Sequence, residues 1–158
     1  MVYIEAGSRI RLRHTTTERN LHSHDFRPPV SEVDFQNEVS AYGMPGFVGD
    51  LNDDWIVEIE KGSKHDSVSG RRVRTLRTQI RLRHALSGCY LFSHKIKLPT
   101  WAYEQQEVTC NKNPSRANSL WMIESSDHPN RKKRNWSVQQ SWLTFICSAS
   151  GCTEGQLS

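Results

Sequence analysis

The chain has 158 residues, 35% hydrophobic and 24% charged, with 21 basic and 17 acidic side chains. That length fits one domain with one modest core. The resulting charge of +4 is too small for a dedicated nucleic-acid surface. No run approaches the roughly 20 apolar residues that a membrane-spanning helix needs, and the stretch Trp142 to Cys147 is the longest candidate.

Taken in order, the first element is Ile10-Arg11-Leu12-Arg13-His14, which alternates apolar and charged residues as a half-buried strand does. The short stretch Val2-Tyr3-Ile4 before it reads as a connecting strand. Leu21-His22-Ser23-His24 alternates likewise, and Gln36-Asn37-Glu38-Val39-Ser40 has a β-branched centre. Trp55-Ile56-Val57-Glu58 closes the series after a turn rich in Gly, Asn and Asp, from Gly46 to Asp54. The same series then returns. Ile80–His84 repeats Ile10–His14 letter for letter, and Leu91-Phe92-Ser93-His94 follows where Leu21–His24 stood. Gln105-Gln106-Glu107-Val108-Thr109 and Trp121-Met122-Ile123-Glu124 complete it. Four matches in one order mark a duplication, which sets the architecture before any other feature does.

No window shows helical i, i+3, i+4 spacing of apolar residues, so the reading is all-β, two repeats of four strands each. A Trp opening the last strand of each repeat fits a β-trefoil, in which three such units close around a pseudo-threefold axis. A propeller is the competing arrangement, but two blades cannot close a ring. The trefoil region is expected over residues 3–129, with repeats at 8–60 and 78–126. Residues 130–158 form a basic tail that matches nothing in the repeats.

The blocks resemble the MIR domain, a β-trefoil module of protein O-mannosyltransferases, inositol trisphosphate and ryanodine receptors, and small lumenal proteins of the secretory pathway. Gly88-Cys89-Tyr90-Leu91-Phe92-Ser93-His94, Lys97-Leu98-Pro99 and Trp101 through Cys110 look specifically like fungal protein O-mannosyltransferases. Asn37 through Gly43, Gly49-Asp50 and Asp53-Asp54-Trp55 agree. The family has three repeats, and the first has no counterpart here. The resemblance implies a lumenal, non-catalytic module that binds or senses acceptor polypeptide or glycan during O-mannosylation. It would work as part of an endoplasmic reticulum membrane protein, beside the membrane-embedded catalytic portion and a partner mannosyltransferase subunit. A free-standing MIR protein of lumenal quality control is the alternative, and a basic nucleic-acid-binding trefoil a further one. No cofactor and no nucleic-acid partner are expected.

Ligand-binding candidates are His24, His94, Trp101, Tyr103, Gln105 and Gln106, because sugar rings need an aromatic face and their hydroxyls need amides or imidazoles. The competing reading makes Trp101 and Tyr103 lobe core. No catalytic residue is assigned. Asp50, Asp53 and Asp54 read as a turn, and Glu38 and Glu107 as matched strand positions. His22 and His24 share a strand face with His14 nearby, but a metal would need a further fixed ligand. Since Phe92 replaces His22 in the second repeat, no metal site is expected. Cys89 and Cys110 flank a presumed hairpin and form a candidate disulfide. Asn135-Trp136-Ser137 is a formal N-glycosylation sequon. The Arg131-Lys132-Lys133-Arg134 run reads as solvated tail.

Overall fold

A computed structural model describes residues 3–31, 36–62, 71–113 and 117–124. Asn135, Cys147, Cys152, the Arg131–Arg134 run and the Trp142 stretch lie outside the described residues. The described chain is all-β, with four strands in each repeat. The first repeat gives β1 (Arg9–Ile10), β2 (Asn20–Ser23), β3 (Gln36–Tyr42) and β4 (Trp55–Ile59). The second gives β5 (Gln79–His84), β6 (Tyr90–Lys97), β7 (Gln106–Asn111) and β8 (Trp121–Met122). Three single 3-10 turns, Leu51–Asp53, Thr100–Ala102 and Ala117–Ser119, are the only helical pieces among the described residues.

The strands make one curled antiparallel sheet in the order β1-β4-β5-β6-β7-β3-β2, with β8 also on β5. A five-pair ladder joins the repeats, running from Trp55 opposite His84 to Ile59 opposite Ile80. A second junction pairs β3 with β7, from Gln36 opposite Asn111 to Glu38 opposite Thr109. A bridge between Arg13 and Asn20 links the two ends of the strand order. Leading into the repeats, Glu5 bridges to Arg72, and Val73 N–H donates to Ile4 O.

The core gathers the apolar face of both units: Leu21, Val39, Trp55, Val57, Ile80, Leu82 and Leu91, with Ile10, Leu12, Val108 and Trp121 packed against it. β5 shows why. Ile80, Leu82 and His84 point inward while Arg81 and Arg83 point outward, where they pair with Glu60 and Glu58. Their counterparts Arg11 and Arg13 pair with Asp54 and Glu18. The alternating arginines are thus the polar side of amphipathic strands.

The duplication extends to single bonds. His14 Nδ1 accepts from Thr17 N–H, and His84 Nδ1 accepts from Ser87 N–H, capping equivalent turns. Trp55 Nε1 donates to Leu21 O at 3.0 Å, and Trp121 Nε1 donates to Leu91 O at 2.8 Å. Each Trp therefore ties the fourth strand of its repeat to the second. Two departures from strict repetition stand out. The strand expected from Ile10 to His14 keeps a ladder only at Arg9–Ile10, on β4, and continues as the single Arg13–Asn20 bridge, the counterpart of Arg83 opposite Tyr90. β2 is buried at all four positions instead of alternating. Its outer face is covered by the turn from Gly49 to Asp54, as the polar contacts below show.

In the second repeat, Cys89 and Cys110 are joined by a disulfide with Cα atoms 5.2 Å apart. It links the start of β6 to the end of β7, where Leu91 stands opposite Cys110.

Candidate functional site

The β6–β7 hairpin ends in a turn that the sequence builds from Pro99 onward. Ala102 N–H donates to Pro99 O at 2.8 Å and Tyr103 N–H to Thr100 O at 3.0 Å. Leu98 N–H closes the loop on Gln105 O at 2.8 Å. Leu98 and Ala102 are buried and pin the turn to the molecule, while Trp101 and Tyr103 are 60% and 66% exposed. The alternative in which these aromatics are lobe core is therefore wrong. The turn sends Leu98 and Ala102 inward and its aromatic rings outward. Tyr103 and Glu104 both sit at positive φ, 54° and 53°, a conformation that costs an L-residue roughly 1–2 kcal/mol. Strain of this kind persists where the surroundings over-determine it, and it concentrates at functional sites. Gln105 and Gln106 are exposed on the strand that leaves the turn. Lys97 and Glu104 form a solvent-exposed pair beneath it at 3.5 Å.

His94 lies lower on β6, at a register shift between Ser93 and Lys97. Its Nδ1 accepts from Ile96 N–H at 3.2 Å. Its Nε2 stands 3.2 Å from Glu107 Oε2 without the alignment of a hydrogen bond. Glu107 is almost fully buried and accepts from Val30 N–H at 3.0 Å and Ser31 N–H at 3.1 Å. A buried carboxylate bonded in this way pins the 28–31 segment of one repeat to β7 of the other. His24 belongs to the first repeat. Its ring stacks on Phe26 with centroids 5.7 Å apart, and its Nδ1 is buried with no partner. The six candidates therefore divide: Trp101, Tyr103, Gln105 and Gln106 share one hairpin, His94 sits at its base, and His24 makes its contacts elsewhere.

A polar cluster in the first repeat escaped the sequence reading. Asp53 is fully buried and accepts from Asn20 Nδ2 at 3.0 Å, from Asp50 N–H at 2.8 Å and from His22 Nδ1 at 2.9 Å. Asp50 caps the Leu51–Asp53 turn through Asn52 N–H at 2.7 Å. Beside it Arg11 Nε donates to Asp54 Oδ1 at 2.5 Å and Arg11 Nη1 to Val48 O at 3.0 Å. That hydrogen bond holds the Asp54 carboxyl below the usual carboxylate range and raises the Arg11 guanidinium. His22, Asp50 and Asp53 bring three potential ligand atoms within 4.8 Å of one another. The Asp53 oxygens already carry three donors and a guanidinium stands alongside, so the cluster works as a bonded turn. Asp50, Asp53 and Asp54 do form the turn read from the sequence. The signal for His22 was missed because its partner exists in one repeat only: Ser119 stands where Asp53 does, and Phe92 where His22 does.

Comparison with known proteins adds the following. The MIR domain family matches residues 1–123. Dolichyl-phosphate-mannose--protein mannosyltransferase 1 of Saccharomyces cerevisiae is 54% identical over 124 residues, covering 78% of this chain and 15% of that protein. Among solved structures, the S. cerevisiae protein O-mannosyltransferase Pmt1-Pmt2 complex bound to the sugar donor superposes with a TM-score of 0.72 at 53% identity. That match covers 80% of this chain and 18% of that one. The SDF2-like protein from Arabidopsis thaliana superposes with a TM-score of 0.64 at 32% identity, covering 76% of this chain and 59% of that one. The chain thus spans a small part of the mannosyltransferases it matches.

Proposed function

The chain belongs to the MIR domain family, and from that premise we propose that it is the non-catalytic lumenal module of a protein O-mannosyltransferase, holding acceptor polypeptide or glycan for a membrane-embedded catalytic portion. The observation that carries this reading is the strained turn presenting Trp101 and Tyr103 to solvent from buried anchors at Leu98 and Ala102. Two outward aromatic rings on a fixed turn, followed by the amides of Gln105 and Gln106, supply a stacking face and hydroxyl partners at low ordering cost. The 54% identity to a mannosyltransferase, against 32% to the SDF2-like protein, favours the transferase module over a free-standing protein. The Cys89–Cys110 disulfide suits an oxidising compartment such as the endoplasmic reticulum lumen. A partner mannosyltransferase subunit follows from the similarity to one member of a two-subunit complex.

The test titrates the purified chain with methyl α-mannoside and with a short Ser/Thr peptide, following amide and indole resonances. Binding is expected to perturb Trp101 and Tyr103. The Trp101→Ala, Tyr103→Ala double variant should lose binding with an unchanged melting temperature. Equal binding by that variant would overturn the assignment.

A further inference from the structure

A second recess lies away from the Trp101 hairpin, where the chain after β2 crosses the start of β3 and the end of β7. It is an open cleft of about 260 Å³ bordered by Asp25, Phe26, Arg27, Gln36, Asn37 and Lys112. Phe26 is held in place by its N–H bonding His24 O and its C=O accepting from Glu38 N–H, each at 2.8 Å, yet its ring is 65% exposed. Asn37 is buried to all but 4%, and its side-chain nitrogen has no hydrogen-bond partner. A buried amide donor left unmade costs about 1–3 kcal/mol, so such a group calls for an explanation. The neighbouring acceptor is already in use, since Gln36 Oε1 takes the Thr109 hydroxyl at 2.5 Å. Asn37 thus leaves a buried donor unmade at the edge of the cleft.

Two cations border the cleft, Arg27 and Lys112. Arg9, Arg11, Arg13, Arg72, Arg81 and Arg83 each pair with an acidic side chain. Arg27 and Lys112, bordering the cleft, form no ion pair among the described residues, although Asp25 is close by in the chain. A spare donor, two unpaired cations and an exposed ring together match a ligand bearing carboxylates, carbonyl acceptors and apolar side chains. A neutral mannosyl glycan would leave both cations unanswered.

We propose that this cleft binds an extended acidic polypeptide segment. Its side-chain carboxylate goes to Lys112 and Arg27, a main-chain carbonyl to Asn37, and an apolar side chain to the Phe26 ring. The proposal rests on the reading of the chain as a module that holds acceptor polypeptide, and it assigns part of that task to a surface separate from Trp101.

The test uses end-blocked short peptides of Ser and Thr with two central Glu residues, and the same peptides with Gln in place of Glu. Both are titrated against the full chain by fluorescence anisotropy and amide mapping. The Glu peptide should bind about tenfold more tightly than the Gln peptide, the size of one charge-assisted contact, and its affinity should fall with added salt. Lys112→Glu and Phe26→Ala alter exposed side chains, so near-ultraviolet dichroism should stay unchanged while Glu-peptide affinity drops about tenfold in each. The Trp101→Ala, Tyr103→Ala variant should bind the Glu peptide normally. Equal affinity for Glu and Gln peptides, or indifference to Lys112→Glu, would overturn the cleft proposal. Competition by methyl α-mannoside would overturn it too, giving the cleft to a glycan. Loss of Glu-peptide binding only in the Trp101 and Tyr103 variant would overturn it while leaving the hairpin reading intact. Binding of neither peptide and no mannoside would sink both.

Discussion

Gly49 stands at φ +91°, and a Cβ built on it would lie 2.7 Å from Arg11 Nη1 and Asp53 Oδ2 and 2.8 Å from Asn20 Nδ2. Both the left-handed backbone and the surrounding polar atoms exclude a side chain. Gly49→Ala should therefore cost about 2–3 kcal/mol, combining backbone strain with displaced buried hydrogen bonds, read as a lowered urea midpoint. His84 is a second residue whose surroundings set its behaviour. Its Nε2 donates to Asn52 O at 2.9 Å, while its Nδ1 accepts from Ser87 N–H, so both nitrogens are satisfied by the neutral ring. Burial pushes its pKa below the ordinary histidine value. The unfolded chain then binds the proton more readily than the folded one, so stability is full above about pH 6.5 and falls as pH drops below it. Asp54, held low by Arg11, adds a further loss once pH falls below the ordinary aspartate range, about 4. Urea midpoints measured between neutral and mildly acidic pH should decline for the native chain. The decline should be shallower in His84→Gln across the histidine range. A slope unchanged by that substitution would show that His84 is not the group responsible.

At the scale of elements, the duplication made most of the strands readable. Wherever two copies agree, as in Ile10–His14 with Ile80–His84 or Trp55 with Trp121, the shared apolar letters mark positions on the common core and the shared arginines its polar reverse. The same logic is blind to what one copy alone possesses. The His22–Asp53 contact spans 31 residues and has no echo in the second repeat, so no pattern connected the two. The exposure of Trp101 was equally hidden, because an aromatic in a turn two residues after Pro99 reads as well for core as for surface. Only the burial of Leu98 and Ala102 decides it. The Cys89–Cys110 bond closes a segment of sequence separation 21, for which lost chain entropy in the unfolded state gives about 3 kcal/mol. The double Cys89→Ala, Cys110→Ala variant should be less stable by that order. Reduction of the native chain should reproduce the effect, with unfolding followed by tryptophan fluorescence.

For the molecule as a whole, the sheet is closed by two junctions between the repeats as well as by the pairing inside each. The β4–β5 and β3–β7 ladders and the Glu107 anchor all join one unit to the other, so neither unit keeps its core alone. Among the described residues β1 pairs only with β4 and β8 only with β5. Repeat architectures generally need three or more units to be secure. The isolated chain is therefore expected to melt over a broad range, with a calorimetric enthalpy that departs from the van't Hoff value. A sharp two-state transition would contradict that expectation. The disulfide and the Arg11–Asp54 pair have one further consequence when set side by side. The second unit is fastened by a covalent link that protons leave alone and reductants cut. The first is fastened by an ionic one with the opposite sensitivities. Reductant should therefore act first on the second unit, whereas the ionic fastening of the first should give way only in strong acid, below about pH 4.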